Sequence, residues 1–77
     1  MNIIKIGHDG CGPCLMVAQK LKAKGIAFAE KTPDEVPELI EKYNVRGVPC
    51  LVITEDDGSE KFLRNVQEIN QWLVHQG

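Results

Sequence analysis

Gly7-His8-Asp9-Gly10-Cys11-Gly12-Pro13-Cys14 is the stretch on which the fold turns. Before it stands a β-branched run, Asn2-Ile3-Ile4-Lys5-Ile6, bounded by Gly7 and Gly10, which reads as a buried strand. After it, Leu15, Val17, Ala18 and Leu21 recur at helical spacing within Gly12 to Lys24, and Gly25 follows the lysines of the last turn as a stop signal. Cys11 therefore falls where a strand ends and a helix begins.

Downstream, Ile26 to Glu30 reads as a second short strand. Thr32-x-x-Glu35 offers a capping box, but Val36 precedes a proline and is pushed from helical angles. The next helix is accordingly placed from Pro37 through Leu39, Ile40 and Tyr43. Val48-Pro49-Cys50-Leu51-Val52-Ile53 reads as a strand opened by proline, Asp56-Asp57-Gly58-Ser59 as a hairpin turn, and Glu60 to Leu63 as an edge strand. Asn65, with Glu68 three residues on, caps a last helix whose Val66, Ile69, Trp72 and Leu73 form one apolar stripe. The order β-α-β-α-β-β-α predicts an α/β fold: a four-stranded mixed sheet with helices on both faces, in a single domain over residues 1–77.

Composition narrows the function. With 77 residues, 43% of them apolar, the chain has enough core for one domain and no more. A net charge of −2 without a basic stripe argues against nucleic acid, and no apolar run is long enough for a membrane. Met1-Asn2-Ile3-Ile4-Lys5 carries no export signal, so the expected location is the cytoplasm. Three cysteines are too few, and odd in number, for a disulfide-stapled scaffold; in a reducing compartment a close pair points to redox chemistry or to metal.

The Cys11-Gly12-Pro13-Cys14 spacing suits thiol chemistry. A thiolate is the attacking species, and a helix N-terminus favours negative charge through its unpaired N–H groups and dipole. Lowering a thiol pKa from about 8.5 to about 7 raises the thiolate fraction at neutral pH from roughly 3% to roughly one half. Pro13 fits the first turn, where its missing N–H is no loss, and Gly12 leaves the Cys11 sulfur open. Cys14, one turn on, lies beneath Cys11 and can resolve a mixed disulfide. Zinc is the competing reading, but it needs four ligands, and only Cys50 with His8 or His75 could complete them.

The segment from Gly7 to Cys14 after a short strand, with Val48-Pro49 opening a later one, resembles the thioredoxin and glutaredoxin superfamily over essentially the whole chain. The tetrapeptide and Tyr43-Asn44-Val45-Arg46-Gly47-Val48-Pro49 are similar to thioredoxins, whereas the short length resembles glutaredoxins and the glutaredoxin-like redoxins that serve ribonucleotide reductase. The resemblance implies Cys11 as nucleophile, Cys14 as resolving thiol, and Pro49 as a cis-proline beside the sulfurs. It also implies a substrate-binding surface from Gly12, Pro13 and the Val48 backbone, with no bound cofactor or metal. The implied activity is protein-disulfide oxidoreduction, with ribonucleotide reductase among the possible electron acceptors.

Departures from the family carry further expectations. Gly10 stands where thioredoxins usually have tryptophan, and Leu63-Arg64-Asn65-Val66 replaces the glycine-containing glutathione feature of glutaredoxins. Thioredoxin reductase is therefore the expected electron source rather than glutathione. Lys5 occupies the place of the usual buried acid, and Glu30 that of its lysine. The two are expected to pair beneath Cys14, with Glu30 as its proton acceptor; two solvated side chains at strand ends are the alternative.

Cys50 reads as inert packing, His8 as a loop histidine near Cys11, Trp72 as core, Asp56-Asp57 as a solvated turn, and Arg46 and Lys42 as surface charges. Two rival functions remain: a metal or iron–sulfur module, and a redox-inactive partner-binding subunit. A monomer is expected.

Overall fold

A computed structural model describes residues 1–76. The elements are β1 (Asn2–Ile6), α1 (Gly12–Ala23), β2 (Ala29–Lys31), a 3₁₀ turn (Pro33–Glu35), α2 (Pro37–Lys42), β3 (Cys50–Thr54), β4 (Glu60–Leu63) and α3 (Val66–Val74). The sheet order is β2-β1-β3-β4. β1 runs parallel to β2 and antiparallel to β3, and β3 pairs antiparallel with β4. This is the α/β arrangement expected from the element order, a mixed four-stranded sheet.

Strand alternation divides the apolar residues between two faces. Ile3, Leu51, Ile53 and Leu63 join Val17 and Leu21 of α1 and Ile69, Trp72 and Leu73 of α3 in one cluster. Ile6, Cys50 and Val52 join Val36 and the α2 residues Leu39 and Ile40 in the other. The helices therefore cover both faces, α1 with α3 on one and α2 on the other. Each fully buried leucine or isoleucine contributes about 1.5–3 kcal/mol to holding these layers together. Lys5 alternates onto the α1 face along with Ile3, so the strand period directs a cation inward.

Both helices α1 and α2 end in the same way. Gly25 (φ 71°) and Asn44 (φ 52°) follow the C-caps in left-handed conformation. Behind them Ile26 N–H donates to the Leu21 carbonyl, and Val45 N–H to the Ile40 carbonyl.

Four details depart from the sequence reading. β2 begins at Ala29 rather than Ile26, because Ile26 and Phe28 pack against the core before the chain reaches its register with β1 at Ile4. The Thr32–Glu35 capping box exists, but it opens the 3₁₀ turn, and Val36 (φ −132°, ψ 55°) separates that turn from α2. β3 starts at Cys50 opposite Ile6, since Pro49 has no N–H to donate to a ladder. Leu15 is 61% exposed, so the buried stripe of α1 is Cys14, Val17, Ala18 and Leu21.

Candidate active site

Cys11 is the N-cap of α1, held extended at φ −93° and ψ 108°. Its carbonyl accepts from Leu15 N–H at 3.1 Å, and its sulfur accepts from Cys14 N–H at 3.1 Å. A helix amide is thus aimed at the Cys11 sulfur, an arrangement that favours negative charge on that atom. Cys11 and Cys14 form a disulfide, with Cα atoms 5.2 Å apart. Cys14 is 3% exposed whereas Cys11 is only partly covered, so an incoming disulfide can reach Cys11 and not Cys14.

The surface around the pair has two hollows. One, of about 480 Å³, is lined by Lys5, Cys11, Cys14, Leu15, Glu30 and Lys31 among others. The second, of about 420 Å³, is lined by Pro13, Gly47, Val48, Pro49, Arg64 and Asn65 among others. Pro13 thus meets Val48 and Pro49 across one cleft, although they lie far apart in sequence. The Val48–Pro49 peptide bond is cis. Gly12 has open space on its side-chain position, which keeps the approach to Cys11 clear.

Lys5 and Glu30 are register partners on β1 and β2, and Lys5 Nζ donates to Glu30 Oε1 at 3.2 Å. The pair is only half buried. The Lys5 side chain is 5% exposed but that of Glu30 is 61% exposed, because β2 is a three-residue edge strand with every residue open to solvent. The expectation of a buried pair is corrected for its acidic member. It is also the ammonium that sits by the dithiol: an ideal Cβ on Gly7 would find Cys14 Sγ at 2.9 Å and Lys5 Nζ at 3.3 Å.

Cys50 is fully buried with Ile6, Val36 and Val52 on the α2 face, across the sheet from α1. Burial pushes its thiol up to about 11, well away from a redox-ready value. His8 is exposed, its Nδ1 2.9 Å from the Asp9 carbonyl oxygen. Lys42 pairs with Glu60, which also accepts from the Tyr43 hydroxyl, and the Tyr43 ring stacks on Phe62 at 4.7 Å. These contacts tie α2 to β4. Trp72 lies in the core, Arg46 is exposed, and Asp57 caps its own turn through Ser59.

Two site features escaped the sequence reading. Gly7 is a contact residue of Cys14, signalled only by a glycine closing a β-branched run. Leu15 and Met16, 61% and 48% exposed, stand beside the cysteines as an apolar rim; helical periodicity placed Leu15 inside. Among the described residues no three His, Cys, Asp or Glu side chains converge as a metal site requires.

Residues 3–57 match the Glutaredoxin family model. The SPbeta prophage-derived thioredoxin-like protein YosR of Bacillus subtilis (strain 168) is 33% identical over 60 residues, 78% of this chain and 75% of YosR. A thioredoxin of Rhodospirillum rubrum is 34% identical over 61 residues, covering 71% of this chain and 59% of that longer protein. Among solved structures, a mutant thioredoxin from Halobacterium salinarum NRC-1 superposes with a TM-score of 0.69 at 28% identity, over 96% of this chain and 69% of the other. A variant of the thioredoxin-like protein BC3987 gives 0.68 at 24% identity over 94% and 99%, a likeness of fold alone.

Proposed function

We propose that this chain, a thiol–disulfide oxidoreductase that belongs to the glutaredoxin family within the thioredoxin superfamily, reduces disulfides of other proteins through Cys11 and Cys14. The observation that carries the reading is the helix amide of Cys14 directed at the partly open sulfur of Cys11, with the covered Cys14 sulfur bonded to it.

In the reduced protein the Cys11 thiolate attacks one sulfur of the substrate disulfide. A Cys11–substrate S–S bond forms, the substrate S–S bond breaks, and the departing thiolate takes a proton from water. Cys14 then gives up its proton and attacks Cys11 Sγ, displacing the second substrate thiolate, which is also protonated. Two electrons have passed to the substrate, and the chain is left as the disulfide. We assign the Cys14 proton to Glu30, whose exposed carboxylate lines the larger hollow together with Cys14.

Exposed Pro13, Leu15 and Met16 favour a protein as substrate, since they offer apolar contact around Cys11. An extended substrate segment would lie in the cleft between Pro13 and Val48, with Pro49 and Gly12 setting its approach. A ribonucleotide reductase is one enzyme this donor could serve. For the electron source we favour a flavoprotein thioredoxin reductase over glutathione. At the start of α3, Asn65 Oδ1 already accepts from Glu68 N–H, and Glu68 Oε1 from Arg64 N–H, so these two amides are engaged internally rather than left for a tripeptide carboxylate. We place the protein in the cytoplasm on its low cysteine count, and read it as a monomer on its single small core. No helix is long and apolar enough to cross a membrane among the described residues.

The test is insulin reduction by dithiothreitol with catalytic amounts of the protein. Acceleration that is lost in Cys11→Ser supports the reading. No acceleration by the wild type would reject it in favour of a redox-inactive binding subunit.

A further inference from the structure

We propose that Lys5 is a positioning residue for the dithiol, its buried ammonium stabilising the Cys14 thiolate and so tilting the Cys11/Cys14 couple toward the reduced form. This rests on the redox reading above and extends it to a group that neither sulfur exchange nor packing explains.

Lys5 is the only buried charged residue among those described, at 4% exposure. Burying an ammonium is costly unless partners compensate it. Yet its three donors have one side-chain partner, a single oxygen of the solvent-exposed Glu30. Its nitrogen and Cys14 Sγ crowd the same point above Gly7, at 3.3 and 2.9 Å from where a Cβ would stand, so they cannot be farther apart than those two distances together.

In the disulfide the Cys14 sulfur is neutral and offers the ammonium little. Reduction adds two electrons to the pair, breaks the S–S bond and leaves two sulfurs to be charged or protonated. A cation at this range lets Cys14 hold its negative charge instead of a proton, an effect of about 1–3 pKa units. The same charge favours the resolving step, in which Cys14 attacks as a thiolate, the Cys11–Cys14 bond forms and the Cys11–substrate bond breaks. The charged and titratable groups facing Cys14 are Lys5 from β1, His8 and Asp9 from the β1–α1 loop, Cys11 from α1, and Glu30 and Lys31 from β2. All of these except Lys5 and Cys11 are exposed and screened by water. Lys5 therefore dominates.

The experiment equilibrates the protein with dithiothreitol redox buffers and follows thiolate absorbance in the ultraviolet against pH. Lys5→Met is expected to raise the Cys14 titration by about one unit or more, and to lower the equilibrium constant for reduction about tenfold just above neutral pH, which is about 30 mV. Lys5→Arg should restore most of both. Glu30→Gln should shift both in the opposite direction, by removing the carboxylate that competes for the ammonium. Lys61→Met, an exposed cation on β4, should change neither. Should Lys5→Met fail to fold, Lys5→Gln is read in the same way.

Titration and equilibrium constant unmoved by loss of the Lys5 charge, or moved alike by loss of Lys5 and of Glu30, would overturn the inference while leaving the oxidoreductase reading intact. A wild-type protein that does not equilibrate with the buffer at all would overturn both.

Discussion

Gly7 has no side chain because Cys14 occupies the space: an ideal Cβ there would stand 2.9 Å from Cys14 Sγ and 3.2 Å from Cys14 Cβ. The end of β1 and the first turn of α1 are thus in direct contact under the disulfide, and only a glycine allows it.

Gly7→Ala should for that reason penalise the oxidised protein more than the reduced one. In the disulfide Cys14 Sγ is tethered and cannot withdraw, whereas a free thiol can turn to another rotamer. The expected loss is about 1–3 kcal/mol in the oxidised form and clearly less in the reduced form. Denaturant unfolding in both redox states measures it, and equal losses would contradict the contact.

Cys50 should behave as packing. Burial lifts its thiol from 9.0 to about 11, so the native oxidised protein should resist iodoacetamide near neutral pH, while the urea-unfolded chain labels readily. The sign of the pH effect follows from the same lift. The contribution is fully present below pH 9, and is lost as pH rises toward 11, because the unfolded chain releases a proton that the folded chain keeps. The loss amounts to about 2–3 kcal/mol over that window. The stability gap between wild type and Cys50→Ala should narrow accordingly with rising pH. A constant gap, or rapid native labelling, would show that Cys50 is reachable.

The capped start of α3 sets the expected electron source. NADPH with a thioredoxin reductase should reduce the Cys11–Cys14 disulfide, while glutathione with its own reductase should sustain turnover at least tenfold more slowly. Asn65→Gly with Glu68→Ala, which frees the amides of Arg64 and Glu68, should narrow that ratio. A wild type that prefers glutathione would refute the argument from capping.

Much of this architecture was legible because its signals are local. β1 and β4 were placed to the residue by glycines, hairpin chemistry and β-branched runs, and α3 by the Asn65–Glu68 box. The dithiol was readable from its spacing at a strand–helix junction. What local pattern did not reveal depends on layers and edges. Leu15 obeys the helical period, yet lies beyond the area that the sheet and α3 cover. Glu30 has the right register with Lys5, but β2 is an edge strand, so its carboxylate faces water. The start of β2 was misplaced because Ile26 and Phe28 are apolar for the core rather than for pairing. In each case burial was decided by a neighbour distant in sequence.

The most direct test of the account is covalent trapping on a disulfide-bonded peptide, read by mass spectrometry of the intact protein. Cys14→Ser should accumulate the peptide on Cys11 as a mixed disulfide that dithiothreitol releases, Cys11→Ser should capture little, and wild type should turn over without accumulation. Capture by Cys11→Ser at the rate of Cys14→Ser would contradict the assignment of attack to the sulfur at the head of α1 and release to the one buried beneath it.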